Sequence, residues 1–356
     1  MANRLIQGKL PPGNFELVTR VGAIPPHTNS KLVHLWRDQH NKWQPSTNPA
    51  KGEVISPAAD SPGAIIQDKT CTTTNPGDFH VLVLEGTNLV HYTKDNSKIS
   101  NPWIHADPFI VSSRATGEAS FIQGNLGASK NNFEAVVLEG SNLVHYYKDN
   151  STPGNQWVET YTISTSASSA GCLIQSNLGA PGSPGNLEVV VLEGNNLVHY
   201  YRDNSNLTAP SASLWSPKPT AIISTQAQSS ASFIQVDLHL GPHSGDDSPG
   251  PGNFELVVLE NGAFVQYSRD NSQAPTYPWS PKPTATIATT SEFGQACLIQ
   301  SQKSGQPDPL DVVLLAGNHG DSILAHYSRE SASNPTGAWK LEGVAAQFQL
   351  DSINDG

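Results

Sequence analysis

Charged and sulfur-containing residues are scarce in this 356-residue chain. Only 14% of the residues are charged, and there are three cysteines and one methionine. An odd number of cysteines excludes a fully paired disulfide framework, so we expect reduced thiols. Cys172 and Cys297 occur in the same Cys-Leu-Ile-Gln string of two repeated segments. That shared place predicts small residues of the core.

Long hydrophobic runs and basic clusters are also missing. No stretch approaches the roughly 18 apolar residues of a membrane helix, so membrane insertion is not expected. The formal net charge is −11, which makes a nucleic-acid backbone an unfavourable partner. Residues 1–7 lack the apolar centre of a secretory signal peptide. We therefore expect a cytoplasmic protein, or one exported without a cleaved signal.

The sequence does contain a segment, at residues 196–205, that recurs six times with graded variation. The copies centre on His34, His91, His145, His199, Gln266 and His326. One tryptophan follows each copy, namely Trp43, Trp103, Trp157, Trp215, Trp279 and Trp339. Their spacings of 60, 54, 58, 64 and 60 residues, without any helical pattern, predict a radial or solenoid array.

Each repeat reads as four short strands. In the third repeat these are residues 119–123, 133–139, 143–148 and 157–163, separated by Gly, Asn and Ser turns. The pattern predicts an all-β fold, a six-bladed β-propeller of four-stranded antiparallel blades. We expect one domain over residues 1–356, with repeats at approximately 1–60, 61–116, 117–168, 169–228, 229–293 and 294–356. Small residues before each Ile-Gln place that strand nearest the axis.

Several polar residues recur once per blade. The acids Glu16, Glu134, Glu188, Glu255 and Asp311, a series interrupted by His80, are predicted to pair with His or Arg of the adjacent strand. The repeated His residues are predicted to be half-buried and hydrogen-bonded rather than metal ligands. No metal or cofactor is predicted. The glutamines Gln7, Gln67, Gln123, Gln175, Gln235 and Gln300 are predicted to satisfy buried backbone groups.

Each repeat also carries the side chains that a sugar site needs. A sugar has an apolar C–H face and a rim of hydroxyls, so it is bound by an aromatic ring and planar polar groups. The candidate sugar contacts are Trp36, Arg37, Trp43, Trp103, Tyr147, Lys148, Trp157, Tyr201, Arg202, Trp215, Arg269, Trp279, Arg329 and Trp339. Two alternatives stay open: the tryptophans pack blade on blade, and the Asp after each cation caps a turn.

The string Asn-Phe-Glu-Leu-Val-Val-Leu-Glu at 253–260, the segment 196–205 and the Ser-Phe-Ile-Gln strand at 232–235 resemble the PLL-like β-propeller lectins. These are the bacterial family typified by the Photorhabdus luminescens lectin, and the resemblance covers essentially the whole chain. It implies a wheel-shaped lectin with shallow sites between blades, for ligands that include fucose and O-methylated sugars. Its members have seven blades, and the family's third-strand tryptophan is kept only at Trp36. Repeats one, three and four, with Trp36, Tyr147 and Tyr201, are the preferred sites.

The sixfold repetition of the candidate site favours a binding protein over an enzyme. No Ser-His-Asp order, nucleophile elbow or phosphate-binding loop occurs. Several weak sites on one ring raise avidity by about 10²–10⁴, which favours a non-catalytic multivalent lectin whose partners are glycans or glycoconjugates. A propeller polysaccharide lyase or glycosidase that uses His/Tyr or carboxylates stays open, as does a protein-interaction scaffold. Assembly into a homo-oligomer is compatible with the sequence.

Overall fold

The computed structural model shows only β-strands as regular elements in the part of the chain that it describes. The described residues are 5–8, 15–21, 30–37, 43–44, 52–69, 76–98, 100–126, 131–152, 154–205, 214–236, 251–272, 278–289, 294–301, 309–318, 321–330 and 337–349. The strands form six antiparallel sheets, the blades of a propeller. The predicted six-bladed all-β fold is confirmed. No helix among the described residues is long and apolar enough to cross a membrane.

The blades follow one another along the chain. Blade one holds β1 (Leu5–Gln7), β2 (Phe15–Val21), β3 (Lys31–Arg37), β4 (Trp43–Gln44) and β5 (Glu53–Ser56). Blade two holds β6 (Ala64–Gln67), β7 (Phe79–Glu85), β8 (Asn88–Lys94) and β9 (Ile104–Ser112). Blade three holds β10 (Ala119–Gln123), β11 (Phe133–Glu139), β12 (Asn142–Lys148) and β13 (Val158–Ser164).

The second half of the ring repeats this order. Blade four holds β14 (Cys172–Gln175), β15 (Leu187–Glu193), β16 (Asn196–Arg202) and β17 (Ala221–Ser224). Blade five holds β18 (Ser232–Gln235), β19 (Phe254–Glu260), β20 (Ala263–Arg269) and β21 (Ala285–Thr289). Blade six holds β22 (Gln295–Gln300), β23 (Leu310–Asn318), β24 (Asp321–Arg329) and β25 (Lys340–Gln349). Each sheet lies within one predicted repeat, and the assignment of a single domain stays a prediction.

The second and third strands of a blade are joined by a tight hairpin. In blade three Glu139 pairs with Asn142 across a turn that contains Gly140, whose φ is +63°. Two-residue hairpins need a left-handed backbone, which glycine adopts without steric cost. The same turn fixes the register, so that Val136 lies opposite His145.

The first strand of every blade lies next to the axis, as the small residues predicted. β6, β10, β14, β18 and β22 follow one another around the centre, and β1 lies beside both β6 and β22, which closes the ring. Ser120 and Ser232 connect neighbours at this level, because their Oγ atoms accept the backbone N–H groups of Leu173 and Leu298 at 2.9 Å. In the described residues no strand is exchanged between the first and last blades.

The hydrophobic core lies between the blades. Phe121, Phe133 and Trp157 of blade three pack together and contact His91 of blade two. Cys172 and Cys297 are buried and neither forms a disulfide, which confirms their prediction as core residues.

The glutamine that ends each first strand joins two blades. Gln123 of blade three is 7% exposed, and its Oε1 accepts the backbone N–H of Lys69 in blade two at 2.5 Å. The equivalent acceptors are Gln175 for Asn125 at 2.7 Å and Gln235 for Asn177 at 2.8 Å. Gln175 Nε2 also donates to Pro184 O of its own blade at 2.9 Å. For these residues the predicted bonding of the glutamines to the backbone is confirmed, but the N–H groups belong to the exposed residues Lys69, Asn125 and Asn177 rather than to buried ones.

We expect Gln123→Leu to lower the free energy of unfolding by about 1–3 kcal/mol, because the N–H of Lys69 loses its acceptor. Urea denaturation followed by tryptophan fluorescence measures this change. The exposed Gln156, changed to Leu in the same way, should stay within about 0.5 kcal/mol of the wild type. Equal stability of the two variants would contradict the role of Gln123.

Candidate functional site in the clefts between blades

Neighbouring residues of a third strand face different clefts. Successive side chains of a strand point to opposite faces of its sheet. Tyr201 of blade four shares a cavity with Arg269 and Trp279 of blade five. Arg202, the next residue, instead lies within electrostatic reach of Glu134 and Tyr147 in blade three. Each cleft is therefore built from two repeats.

The sequence leaves open which repeats combine in one cleft, and the structure shows this phase. The third-strand aromatic of one blade faces the cation and the tryptophan of the next blade. We name each cleft by its two blades, so that Tyr147 and Arg202 belong to cleft 3/4, and Tyr201 and Arg269 to cleft 4/5. Trp36 belongs to cleft 1/2. The side chains of Arg37 and Trp43 lie outside the described residues.

Cleft 4/5 contains a cavity of about 620 Å³. Blade four contributes Glu188, His199 and Tyr201, while blade five contributes Arg269 and Trp279. The volume lies within the range of roughly 300–1,000 Å³ that is usual for small-molecule sites. An aromatic hydroxyl, a guanidinium and a carboxylate thus surround one opening.

A carboxylate–imidazole pair forms the floor of the cleft. His199 Nε2 lies 2.9 Å from Glu188 Oε2, and Ser176 Oγ donates to Glu188 Oε1 at 3.0 Å. The equivalent pairs are His34–Glu16 at 2.8 Å, His145–Glu134 at 2.8 Å and His326–Asp311 at 2.7 Å. The predicted cross-strand pairing is confirmed at these positions. The prediction of half-buried histidines is wrong, since His199 is only 1% exposed.

The tryptophan of the next blade explains that burial. The Trp279 ring lies 5.9 Å from the His199 ring at 83°, an edge-to-face contact. The matching contacts are His34–Trp103 at 5.7 Å, His91–Trp157 at 5.8 Å and His145–Trp215 at 5.4 Å. Since Trp103, Trp157, Trp215 and Trp279 are at most 9% exposed, their main role is packing. A sugar can touch only the small exposed part of these rings.

The exposure of the cation divides the clefts into two classes. Arg202 and Arg269, in clefts 3/4 and 4/5, are half-buried, and Arg269 lines the cavity of cleft 4/5. Lys94, Lys148 and Arg329 are 3%, 7% and 2% exposed. We therefore call clefts 3/4 and 4/5 open, and clefts 1/2, 2/3 and 5/6 closed.

Each closed cleft has its own partner for the cation. In cleft 1/2 Lys94 Nζ donates to Glu53 Oε2 at 2.5 Å. In cleft 2/3 Lys148 Nζ donates to the Asp107 carbonyl at 3.1 Å. Such contacts occupy the ammonium groups that a ligand would need.

Cleft 5/6 is closed by an amide. Gln266 stands where the other blades have histidine, and its Oε1 accepts from Arg329 Nη1 and from Trp339 Nε1, both at 2.9 Å. Gln266 Nε2 donates to Glu255 Oε2 at 2.5 Å. Burial raises the pKa of Glu255 to about 7 and lowers that of Arg329. Gln266 thus supplies an acceptor oxygen to the cation from within the protein.

The electrostatics of Arg202 differ from those of a solvated arginine. Burial lowers the pKa of its guanidinium, while the nearby charge of Glu134 and the phenol of Tyr147 oppose this effect. Its Nε atom is buried and has no hydrogen-bond partner among the described residues. Cleft 3/4 therefore combines a carboxylate and a guanidinium in the same arrangement as cleft 4/5.

The Asp residues after the third strands cap turns, as one of our two alternatives predicted. Asp203 Oδ1 accepts the backbone N–H of Ser205 at 2.9 Å. The equivalent bonds join Asp95 to Ser97 at 2.8 Å, Asp149 to Ser151 at 2.8 Å and Asp270 to Ser272 at 2.9 Å. Asp38 lies outside the described residues. Asp203 also lines the cavity of cleft 4/5, so it both caps a turn and contributes to the candidate site.

Two residues that decide access were not identified from the sequence. They are Glu53 and Gln266, and each is a departure from the repeat. The position of Glu53 in the fourth strand, opposite the repeat histidine, is Ala221 in blade four and Ala285 in blade five. An alignment of the repeats contains that signal, but its meaning requires the cleft geometry. Among the described residues no cluster of three or more metal-ligating side chains occurs.

Known proteins resemble this chain in fold rather than in sequence. No protein-family model and no curated protein matches it. A mutant of the lectin from Aleuria aurantia, in complex with α-methyl-L-fucoside, aligns with a TM-score of 0.59 at 12% identity, over 96% of this chain and 93% of that chain. A derivative of the fucose-specific lectin from Aleuria aurantia aligns with a TM-score of 0.60 at 13% identity and the same coverage. Solved lectins with a six-bladed β-propeller fold thus share this architecture.

A solved glycosidase is similar at a lower level. An α-L-arabinofuranosidase from Fusarium graminearum, in complex with an iminosugar inhibitor, aligns with a TM-score of 0.49 at 10% identity, over 82% of each chain. A likeness this weak carries no argument about activity.

Cleft 2/3 departs from the carboxylate–imidazole pattern because His80 replaces the acid. His80 Nδ1 lies 3.1 Å from His91 Nε2, and His91 is 1% exposed. Burial lowers the pKa of His80 to about 4, and nearby Lys148 acts in the same direction, while Asp68 and Asp78 oppose both. Burial, His80 and Lys148 also lower the pKa of His91 well below its ordinary value. The folded blade therefore keeps both imidazoles neutral.

We expect His80→Glu to make the protein less sensitive to acid. The stability that comes from the neutral His80 is complete above pH 6.5, its ordinary pKa, and is lost as the pH falls towards 4. The substitution restores the carboxylate–imidazole pair of the other blades. The loss of unfolding free energy between pH 6.5 and pH 4 should shrink by up to about 3 kcal/mol. Urea denaturation across this pH range measures it.

The exposed Gln156, changed to Glu, serves as the control, because it adds a carboxyl group away from the cleft, and it should leave the pH profile of stability unchanged. Parallel profiles of the wild type and His80→Glu would show that the two buried imidazoles do not limit stability in acid.

Proposed function

We propose that this protein is a non-catalytic, multivalent lectin whose working sites are the open clefts 3/4 and 4/5. The observation that carries the proposal is the cavity of about 620 Å³ in cleft 4/5, with a half-buried guanidinium opposite Tyr201. Cleft 3/4 has the same residue types in Glu134, Tyr147 and Arg202. Closed clefts offer no such cation.

The chemistry of an open cleft suits one neutral sugar ring. The Arg269 guanidinium donates several hydrogen bonds in a plane, as adjacent sugar hydroxyls require. Tyr201 and the exposed part of Trp279 offer apolar surface to a C–H face. The exposed Asp203 is an acceptor for hydroxyl donors. Such a site binds weakly by itself, and several sites on one ring raise avidity.

Fucose is the first ligand to test, and the Aleuria aurantia lectin supports that choice because it is fucose-specific and shares the fold. The resemblance to the PLL-like lectins, carried by the repeated strand sequences, points to fucose and O-methylated sugars as well. Membership of that bacterial family is part of the proposal.

The pairing of the acids favours binding over catalysis. Glu188 already accepts hydrogen bonds from His199 and Ser176, and Asp203 accepts one from the backbone of Ser205. A glycosidase needs one carboxyl group to donate a proton and another to attack the sugar or activate water. In cleft 4/5 the described acids Glu188 and Asp203 instead accept hydrogen bonds from residues of their own blade.

We expect isothermal titration calorimetry with α-methyl-L-fucoside to give about two sites for the clefts that the structure describes. Arg269→Gln and Arg202→Gln should each remove about one site, because each removes the charged donor of one open cleft. The double variant should lose both of these sites. Since Lys94 is already bonded to Glu53, Lys94→Gln is the matched control and should leave the stoichiometry unchanged.

A glycan array on the labelled protein tests the same proposal without choosing the sugar. An array without any bound glycan at high protein concentration would overturn the proposed lectin. Release of product from aryl glycosides or acidic polysaccharides would favour the enzymatic alternative instead.

A further inference from the structure

A second cavity lies beside the axis, at the ends of the first strands of blades three to five. We call it the axial depression, and its volume is about 1,000 Å³. Its walls include the amide side chains of Gln123, Asn125, Gln175, Asn177 and Gln235. Apolar surface comes from Ile122, Ile174 and Val236. Amides and apolar groups together suit a neutral, hydroxyl-rich ligand.

The amides of the axial depression are held in fixed positions. Asn177 is bonded twice to Gln235, because its backbone N–H donates to Oε1 at 2.8 Å and its Oδ1 accepts from Nε2 at 2.5 Å. Gln175 bridges Asn125 and Pro184 at 2.7 and 2.9 Å. Side chains fixed in this way lose little entropy when a ligand binds.

The axial depression and the cavity of cleft 4/5 meet at Asn177, which lines both. Asn177 is exposed, and its side-chain amide has donors for hydroxyl oxygens. Each cavity alone has a volume typical of a small-molecule site, so the two together hold more than one sugar ring. Among the described residues on the wall of the depression, Lys69 carries the only charge, and its Nζ donates to Asn125 Oδ1 at 2.9 Å.

We infer that the ligand of cleft 4/5 is a neutral oligosaccharide, not an isolated monosaccharide. Its terminal sugar occupies the cleft, and the following residues cross Asn177 into the axial depression. This inference rests on the proposed function, because the terminal sugar is the one that Arg269 and Tyr201 bind. It adds a second specificity determinant, the amide wall, to the same site.

The experiment compares two probes, α-methyl-L-fucoside and the neutral trisaccharide 2′-fucosyllactose, by titration calorimetry. To isolate cleft 4/5, both titrations use the Arg202→Gln background. We expect the trisaccharide to bind about three- to tenfold more tightly, which corresponds to one or two additional hydrogen bonds. Asn177→Ala should remove most of this gain, so it should weaken the trisaccharide more than the monosaccharide.

Two further variants sharpen the test. Asn125→Trp places a large side chain in the depression from a wall that cleft 4/5 does not share, and it should weaken the trisaccharide alone. Asn196 is an exposed asparagine at the hairpin end of the same blade, so Asn196→Ala is the matched control and should change neither affinity.

Equal affinities for the two probes in the parent protein would overturn the inference and leave the proposed lectin intact. An equal loss for both probes in Asn177→Ala would also overturn it, because Asn177 would then act within the cleft alone. Binding of neither probe to the wild type would contradict the proposed fucose site, and the inference would fall with it.

Discussion

The alternation of side chains along the third strand is the constraint on which the binding geometry depends. Because a blade is packed on both faces, the two sides of one strand serve two different clefts. Tyr201 therefore faces blade five while Arg202 faces blade three. Each described cleft is therefore formed by two repeats. The buried contact between the histidine of one blade and the tryptophan of the next, which packs the two blades together, is also formed by two repeats.

Within this common frame, single substitutions decide whether a cleft is open. Glu53 neutralises Lys94 in one cleft, and Gln266 bridges Arg329 and Trp339 in another. Both side chains place an acceptor where a ligand oxygen would otherwise lie. The ring is thus symmetric in its architecture and asymmetric in its chemistry, with two neighbouring open clefts among those that the structure describes.

The sequence predicts the architecture well because each strand pattern occurs in six copies. An ambiguous strand in one copy can therefore be assigned from the other copies. Six copies of one strand pattern identify the propeller, and the small residues before Ile-Gln identify its inner strand. The sequence does not predict which residues of a neighbouring blade meet each site residue. The repeat period does not show which face of a strand points to the preceding blade and which to the following blade. Tryptophan burial and the closure of cleft 1/2 depend on packing across blades. A single residue such as Glu53 carries no visible signal of that packing in the sequence.

Each described blade is a continuous piece of chain, and this has a consequence for how the wheel comes apart. Among the described residues the first and last blades meet through side chains and neighbouring strands, such as the edge-on contact of Phe15 with His326 at 5.9 Å. The described part of the chain exchanges no strand across this seam, so the contacts seen there are noncovalent. The two open clefts lie away from the seam. Opening of the ring between blades six and one would therefore leave both walls of each of these clefts covalently connected.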